Sequence, residues 1–235
     1  MRVWKKMPYY VFGIAAVILL SMLGPLCVVG GERTVSVLAA LWEFPQEVLQ
    51  ECYLENAWNA CGTSWMYLLL PIAAAAPSSS YLYEEITSRF CMALEMRMGR
   101  YRYVYTGFLY SAISGGVVVA LGLVSYFLLM GCIFQPSPGY AYGVAAGGMG
   151  GMAGAALAML PRILHMSLYG MAMSLLSSFF VYVYPKLYFD LSILFLVSYL
   201  LREAAMKEDF LLPASMIGAL AALYGVVWRI RSRWA

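Results

Sequence analysis

Apolar residues run along this chain in long, nearly uninterrupted stretches, and polar residues gather in the short breaks between them. About 20 apolar residues in a helix cross the ~30 Å of bilayer hydrocarbon. Stretches of that kind predict spanning helices at about 8–30, 64–82, 105–134, 160–184, 187–201 and 211–228. The third is long enough to cross with tilt. The fifth, "LYFDLSILFLVSYLL", is short but strongly apolar. Gly24-Pro25 predicts a kink near the end of the first. The expected fold class is therefore all-α: a single polytopic membrane domain over residues 1–235 with about six transmembrane helices. An outer loop falls at 31–63, a cytoplasmic segment at 84–104 and an outer segment at 135–159.

Composition agrees with that pattern. The chain is 63% hydrophobic and 11% charged, against roughly 45–50% and 25% in soluble domains. The opening "MRVWKKM" resembles a signal-peptide n-region, but the apolar run behind it is too long and ends on no small-residue cleavage site. It reads as a first span and anchor. With six spans and the N-terminus inside, the cytoplasmic segments hold Arg2, Lys5, Lys6, Arg89, Arg97, Arg100, Arg102, Lys186, Arg229, Arg231 and Arg233, which is eleven of the 15 basic residues. Arg33, Arg162, Arg202 and Lys207 fall outside. That split obeys the positive-inside rule and places both termini in the cytoplasm. The Gly- and Ala-rich stretch 139–160 has the small residues of a packed seventh span. A seventh span would put Lys186 and the terminal arginines outside, so the stretch is read as an outer-surface or re-entrant segment.

The densest charge lies mid-chain, in "EEITSRFCMALEMRMGRYRYVYTGF", residues 84–108. Ile86, Phe90, Leu94 and Met98 recur every four residues. That spacing predicts one amphipathic helix over 84–98 with an apolar stripe between charges, stopped by Gly99. Two roles fit it. One is an interfacial helix whose arginines touch anionic lipid. The other is a joint with a partner protein.

An N-inside, six-span unit with such a helix between spans two and three resembles the membrane subunits of type-2 ATP-binding-cassette exporters. The local resemblance lies in the acidic pair Glu84 and Glu85 after span two, then Ser88, then Arg97, Gly99 and Arg100, with Tyr101 and Tyr105 leading into span three. "SGG" at 114–116 is similar as well; Arg89 departs from the pattern, standing where the family often has glycine. The resemblance implies a coupling helix that docks in a groove of a separate ATPase subunit. It assigns Glu84, Glu85, Ile86, Phe90, Leu94, Arg97, Gly99 and Arg100 to that contact, with Phe90 and Leu94 buried and the charges setting register. It also implies a second permease subunit, identical or homologous, and a multi-pass place in a bacterial cell membrane. The chain's four lysines all lie outside a G-x-x-x-x-G-K-[ST] context. No catalytic residue and no cofactor of its own are therefore expected, and ATP and Mg²⁺ would be bound by the partner.

Other candidate chemistry is sparse. The outer loop carries Glu32, Glu43, Glu47, Glu51 and Glu55 against Arg33. Glu47, Glu51 and Glu55 share one helix face, which suits either a gate facing a cationic substrate or an interfacial hairpin with its acidic side in water. Cys52 and Cys61 are the candidate disulfide, sharing a loop that faces an oxidising exterior; unpaired thiols are the alternative. No metal site is expected. The lone histidine, His165, lies among methionines that read as packing rather than soft-metal ligands. Asp190 is expected to pair with Lys186, four residues before it. The function expected is a permease subunit exporting a peptide, antibiotic or lipid-like substrate. The competing class is a non-transporting accessory, immunity or assembly protein acting through helix contacts. Membrane lipid is an expected contact in both cases, and nucleic acid in neither.

Overall fold

The computed structural model describes residues 2–28, 33–43, 53–61, 64–88, 90–134, 152–207 and 209–233. The described chain is mostly helical. In order it forms α1 (Arg2–Met22), β1 (Pro25–Val28), β2 (Arg33–Ser36), α2 (Val37–Glu43), α3 (Leu54–Cys61), α4 (Ser64–Thr87), α5 (Phe90–Met98), α6 (Arg100–Ile133), α7 (Met152–Val183), α8 (Leu187–Ala205) and α9 (Leu211–Arg233).

Among the described residues, α6 (Arg102–Ile133) and α7 (Met159–Val183) are long and apolar enough to cross a membrane. The pair α3 and α4, bent by 71° at the break between them, makes a third if taken together. The apolar parts of α1 and α9, Met7–Met22 and Leu211–Gly225, are shorter. Helix α7 reaches back to Met152 through Pro161, so residues 152–159 belong to the helix and not to a separate outer segment. Of the Gly- and Ala-rich stretch 139–160, residues 139–151 lie outside the described residues.

The all-α expectation needs one correction. The first helix stops at Met22 rather than near residue 30, and the chain turns into a two-stranded antiparallel ribbon, Pro25 opposite Ser36 and Val28 opposite Arg33. Pro25 cannot donate to a continuing helix. The β-branched residues Val28, Val29, Thr34 and Val35 flank Gly30-Gly31, which is a hairpin signal. Ser36 ends the ribbon and caps α2, its Oγ accepting from Ala39 N at 3.1 Å.

Helices α6 and α7 make the most extensive contact in the bundle; α4 packs on both and α1 on α4 and α6. The crossing of α6 and α7 depends on small residues at four-residue spacing, Ser111 and Gly115 on one helix and Gly170 and Ser174 on the other. A Cβ added to Gly115 would lie 2.4 Å from Ser174 Cβ and 2.7 Å from Gly170 O. Glycine lets the backbones approach that closely, and the approach brings the serine hydroxyls within reach of one another. Ser111 Oγ donates to Ser174 O at 2.8 Å and Ser174 Oγ to Ser111 O at 2.9 Å. Ser178 and Ser78 extend the network, at 2.5 Å from Ser111 and 2.8 Å from Ser174. All four hydroxyls are buried, and each has a partner.

The outside is the reverse. Leu109, Ile113, Val117, Leu121, Val124 and Leu128 form an exposed stripe along α6. Hydroxyls inside and a continuous apolar stripe outside suit a helix surrounded by lipid.

At the ribbon end, α3 is fastened to the bundle by polar contacts. Tyr126 OH donates to Ala57 O at 2.8 Å, and Arg162 Nη1 reaches Trp58 O and Asn59 Oδ1 at 3.4 and 3.3 Å. Cys61 is a buried free thiol with Sγ 3.4 Å from Ser21 Oγ of α1. Of the candidate disulfide pair, Cys52 lies outside the described residues, and Cys61 points into the contact with α1. Glu47 and Glu51 lie outside them too, so only Glu55, on the short α3, remains of the acidic face.

Candidate functional site

The charged mid-chain segment folds at the opposite end of the bundle, where α4 and α7 finish and α6 begins. It is not one helix. Helix α4 runs on to Thr87, and α5 starts afresh at Phe90. Side chains help to end α4: Thr87 Oγ1 donates to Tyr83 O at 2.5 Å and Ser88 Oγ to Glu85 O at 3.3 Å, which competes with a further turn. The predicted stripe is thus divided. Ile86 belongs to α4, whereas Phe90, Leu94 and Met98 belong to α5. Arg89 lies outside the described residues.

Gly99 joins α5 to α6 with φ 78° and ψ 138°, outside the conformations that other residues adopt readily. A Cβ there would meet nothing within 4 Å. The need for glycine is therefore one of backbone conformation and not of space. Gly99 N donates to Glu95 O at 3.0 Å, and Gly99 O accepts from Tyr103 N at 3.1 Å, so the junction is hydrogen-bonded on both sides.

Between α5 and the bundle lies a cavity of about 250 Å³. Leu94 and Met98 of α5 line one side of it. The remaining walls come from Ser78, Tyr81, Leu82 and Glu85 on α4, from residues 103, 104, 106–108, 110 and 111 of α6, from Ser178 and Tyr182 of α7 and from Tyr224 of α9. Its floor meets the serine network described above. Aromatic rings stack edge-to-face around it, Tyr81 on Tyr110 with centroids 5.9 Å apart and Phe108 on Tyr224 at 5.1 Å. Tyr110 also receives a hydrogen bond from Tyr10 of α1 at 3.0 Å.

Glu85 is the charged residue in this wall and is 8% exposed. Its carboxylate accepts from the hydroxyl of Tyr81 and, at 3.1 Å, from that of Tyr103. Two tyrosines on two helices thus hold the carboxylate at the cavity and offset part of the cost of burying it. Glu84, the preceding residue, is exposed and accepts from Tyr9 of α1 at 2.5 Å.

Comparison with known protein families, curated proteins and solved structures finds no match.

The site's geometry separates the residues the sequence grouped together. Glu85 and Leu94 face the cavity, Phe90 is half-buried, Arg97 is exposed and Gly99 is the junction. Arg100 begins α6, with its side chain outside the described residues. The outward side of α5 includes Met96, 83% exposed, beside Arg97. The cavity itself, and the role of Glu85 within it, were not read from the sequence. The tyrosines at 81, 103, 110, 182 and 224 signal it only in retrospect, because they come together from four helices.

Two further expectations meet the structure here. Asp190 does not pair with Lys186. It is fully buried and accepts from Ser177 Oγ at 2.6 Å, on the side of α8 that faces α7. Lys186 precedes α8 and is exposed, with Nζ 5.4 Å above the Tyr184 ring and 5.9 Å above that of Tyr188. Hydrogen bonds to Tyr188 and Tyr184 push its ammonium above the usual lysine range. His165 sits in a buried aromatic group, its ring 6.3 Å from that of Tyr67 and 5.6 Å from that of Phe210. Among the described residues, no group of three or more His, Cys, Asp or Glu side chains is placed to hold a metal ion.

Proposed function

We propose that this chain is the permease subunit of an ATP-binding-cassette exporter. It would sit in a bacterial cell membrane as six spans with both termini inside, paired with a second permease subunit and driven by a separate ATPase. The observation that carries the reading is α5. This nine-residue helix is set off by a break before Phe90 and by Gly99 after Met98. It exposes Met96 and Arg97 on one side and closes the cavity with Leu94 and Met98 on another. A short helix of that kind can take up a push from a docked partner and pass it to α4 and α6, between which it lies in the chain.

The exposed face revises the expected anchors. Among the described side chains of α5, Met96 is the most exposed apolar group and Arg97 the charged group beside it, while Leu94 lines the cavity on the bundle side. An aspartate at 96 would leave an unpaired carboxylate in the docking groove, at a cost of about 2–4 kcal/mol. At about 1.4 kcal/mol per tenfold, association would fall by roughly 30-fold or more. The test is recovery of an ATPase subunit with the affinity-purified wild-type chain, Met96→Asp and Arg97→Glu, each first shown to be inserted and monodisperse. Recovery should be strong for wild type and lost for Met96→Asp. Equal recovery in all three refutes the docking role of α5. No ATPase with wild type refutes the exporter reading in favour of a non-transporting membrane protein.

A further inference from the structure

We propose that the turn between α7 and α8 binds the headgroup of an anionic phospholipid, with Lys186, Tyr184 and Tyr188 as the cradle for its phosphate. The turn lies at the level such a headgroup occupies. The spanning part of α7 ends at Val183, and Lys186 stands three residues beyond it. Val183, Tyr184, Tyr188 and Phe189 are all exposed, an apolar and aromatic shoulder of the kind found at the edge of the hydrocarbon. Lys186 is exposed at its centre, and among the described residues no carboxylate pairs with it. Asp190, the acid nearest to it in the chain, is buried and accepts from Ser177 instead. The three side chains are already assembled. The Lys186 Nζ lies 5.4 Å from the centroid of the Tyr184 ring and 5.9 Å from that of Tyr188, and the ammonium donates to both hydroxyls. The Tyr184 ring is held in turn by Phe189, edge to face with centroids 5.1 Å apart. An ammonium carries three protons, and a phenol both accepts and donates. With two of its protons on the tyrosines, Lys186 keeps one, and each hydroxyl still has its own to give. Three donors, one of them charged, thus cluster at one exposed place. They suit the oxygens of a phosphodiester, which accept several charge-assisted bonds. A headgroup with a quaternary ammonium would bring a second cation against Lys186, so one with net negative charge is preferred. The outward face of α8 continues the site. Tyr188, Leu191 and Phe195 are exposed at i, i+3 and i+7 and share one side of the helix, so an acyl chain can follow them from the cradle for about 10 Å.

This assignment goes beyond the exporter reading and is tested without an ATPase. The purified chain is reconstituted in nanodiscs of phosphatidylcholine alone or of phosphatidylcholine with phosphatidylglycerol, at a salt concentration that screens diffuse surface charge. Its lysines are briefly acylated with sulfosuccinimidyl acetate, and the rate at each is read by peptide mass spectrometry. The chain has four lysines, and Lys207, exposed beyond the other end of α8, is the internal reference. Phosphatidylglycerol should slow acylation of Lys186 by about fivefold or more and leave Lys207 nearly unchanged. Tyr184→Phe combined with Tyr188→Phe keeps both rings and the lysine charge but removes the two hydroxyl donors. The ratio of Lys186 rates in the two membranes should then fall severalfold. Glycerol phosphate added to the phosphatidylcholine nanodiscs should leave Lys186 unprotected, because it lacks the acyl chain that α8 would hold. The proposal is overturned if Lys186 and Lys207 are slowed equally, if the double variant is protected as wild type is, or if glycerol phosphate protects Lys186 as well as the lipid does. Should the double variant not be recovered monodisperse, Tyr188→Phe decides, and unchanged protection there overturns it. Protection of Lys186 in a protein that recovers no ATPase would keep this site and remove the exporter reading.

Discussion

Gly115→Ala adds a single methyl where α6 and α7 cross, and the consequence can be worked from the geometry. The new carbon would start 2.4 Å from Ser174 Cβ and 2.7 Å from Gly170 O. Carbon atoms in favourable contact lie about 3.5–4.0 Å apart, so the helices would have to separate locally by roughly 1 Å. Neither neighbour can rotate away, since one is a Cβ and the other a backbone carbonyl. Overpacking of this kind costs about 1–3 kcal/mol. The separation would also stretch the reciprocal Ser111 and Ser174 bonds, now 2.8 and 2.9 Å, beyond useful length. Interhelical hydrogen bonds in a membrane contribute about 0.6 kcal/mol each and at most about 1.7. With two such bonds at the average value, the sum is a loss of about 2–4 kcal/mol. The assay is reversible unfolding by SDS titration in mixed micelles, followed by circular dichroism. Gly218→Ala is the control, because a Cβ there meets nothing within 4 Å. If Gly115→Ala unfolds within about 0.5 kcal/mol of that control, a difference ordinary for an uncrowded surface site, the close crossing of α6 and α7 is wrong.

Two further outcomes follow from single observations. Non-reducing peptide mapping of protein purified without reductant should recover Cys61 as a thiol, given its buried contact with Ser21; a Cys52–Cys61 cross-linked peptide would mean that the contact of α3 with α1 opens. In a cysteine-free background, a cysteine at Ser137 should react with an impermeant thiol reagent in intact cells and one at Ser232 should not, as the distribution of basic residues requires; labelling at 232 would overturn the arrangement with both termini inside.

What the sequence made legible was the long-range alternation of apolar and polar blocks, because helix length in a membrane is a physical threshold that a run of residues either meets or misses. The blocks at 105–134 and 160–184 correspond to the long apolar parts of α6 and α7, whereas the apolar part of α9, Leu211–Gly225, is shorter; Gly99 was readable because a positive φ selects for glycine. The ribbon at 25–36 was missed although its Gly-Gly and β-branched signal was present; an apolar stretch near the membrane length absorbed it. The division of 84–98 into two helices was hidden for a different reason. Four-residue spacing continues through a break of two residues without changing the count, so periodicity alone cannot see the side chains of Thr87 and Ser88 ending a helix. The serine network and the cavity were illegible in principle. Ser78, Ser111 and Ser174 lie in three helices, and nothing in their local sequence says that they meet.

The two sides of α5 bear on how a docked partner would act on the bundle. Leu94 and Met98 line the cavity, and Met96 and Arg97, which stand between them in the chain, are exposed. One turn of helix connects the two cavity residues, so a docked partner that shifts α5 shifts the cavity wall with it. Such a partner can favour one position of α5 only as far as it binds that position better than the other. This assigns distinct consequences to residues only two positions apart. Met96→Asp should weaken docking and leave the isolated subunit's unfolding in SDS within the roughly 0.5 kcal/mol ordinary for an exposed site. Leu94→Ala removes packing from the cavity wall, so it should destabilise the isolated subunit by more than that with no partner present. The stripe reading, with Leu94 buried in the partner's groove, requires the opposite at that position: docking lost and the isolated subunit's stability intact.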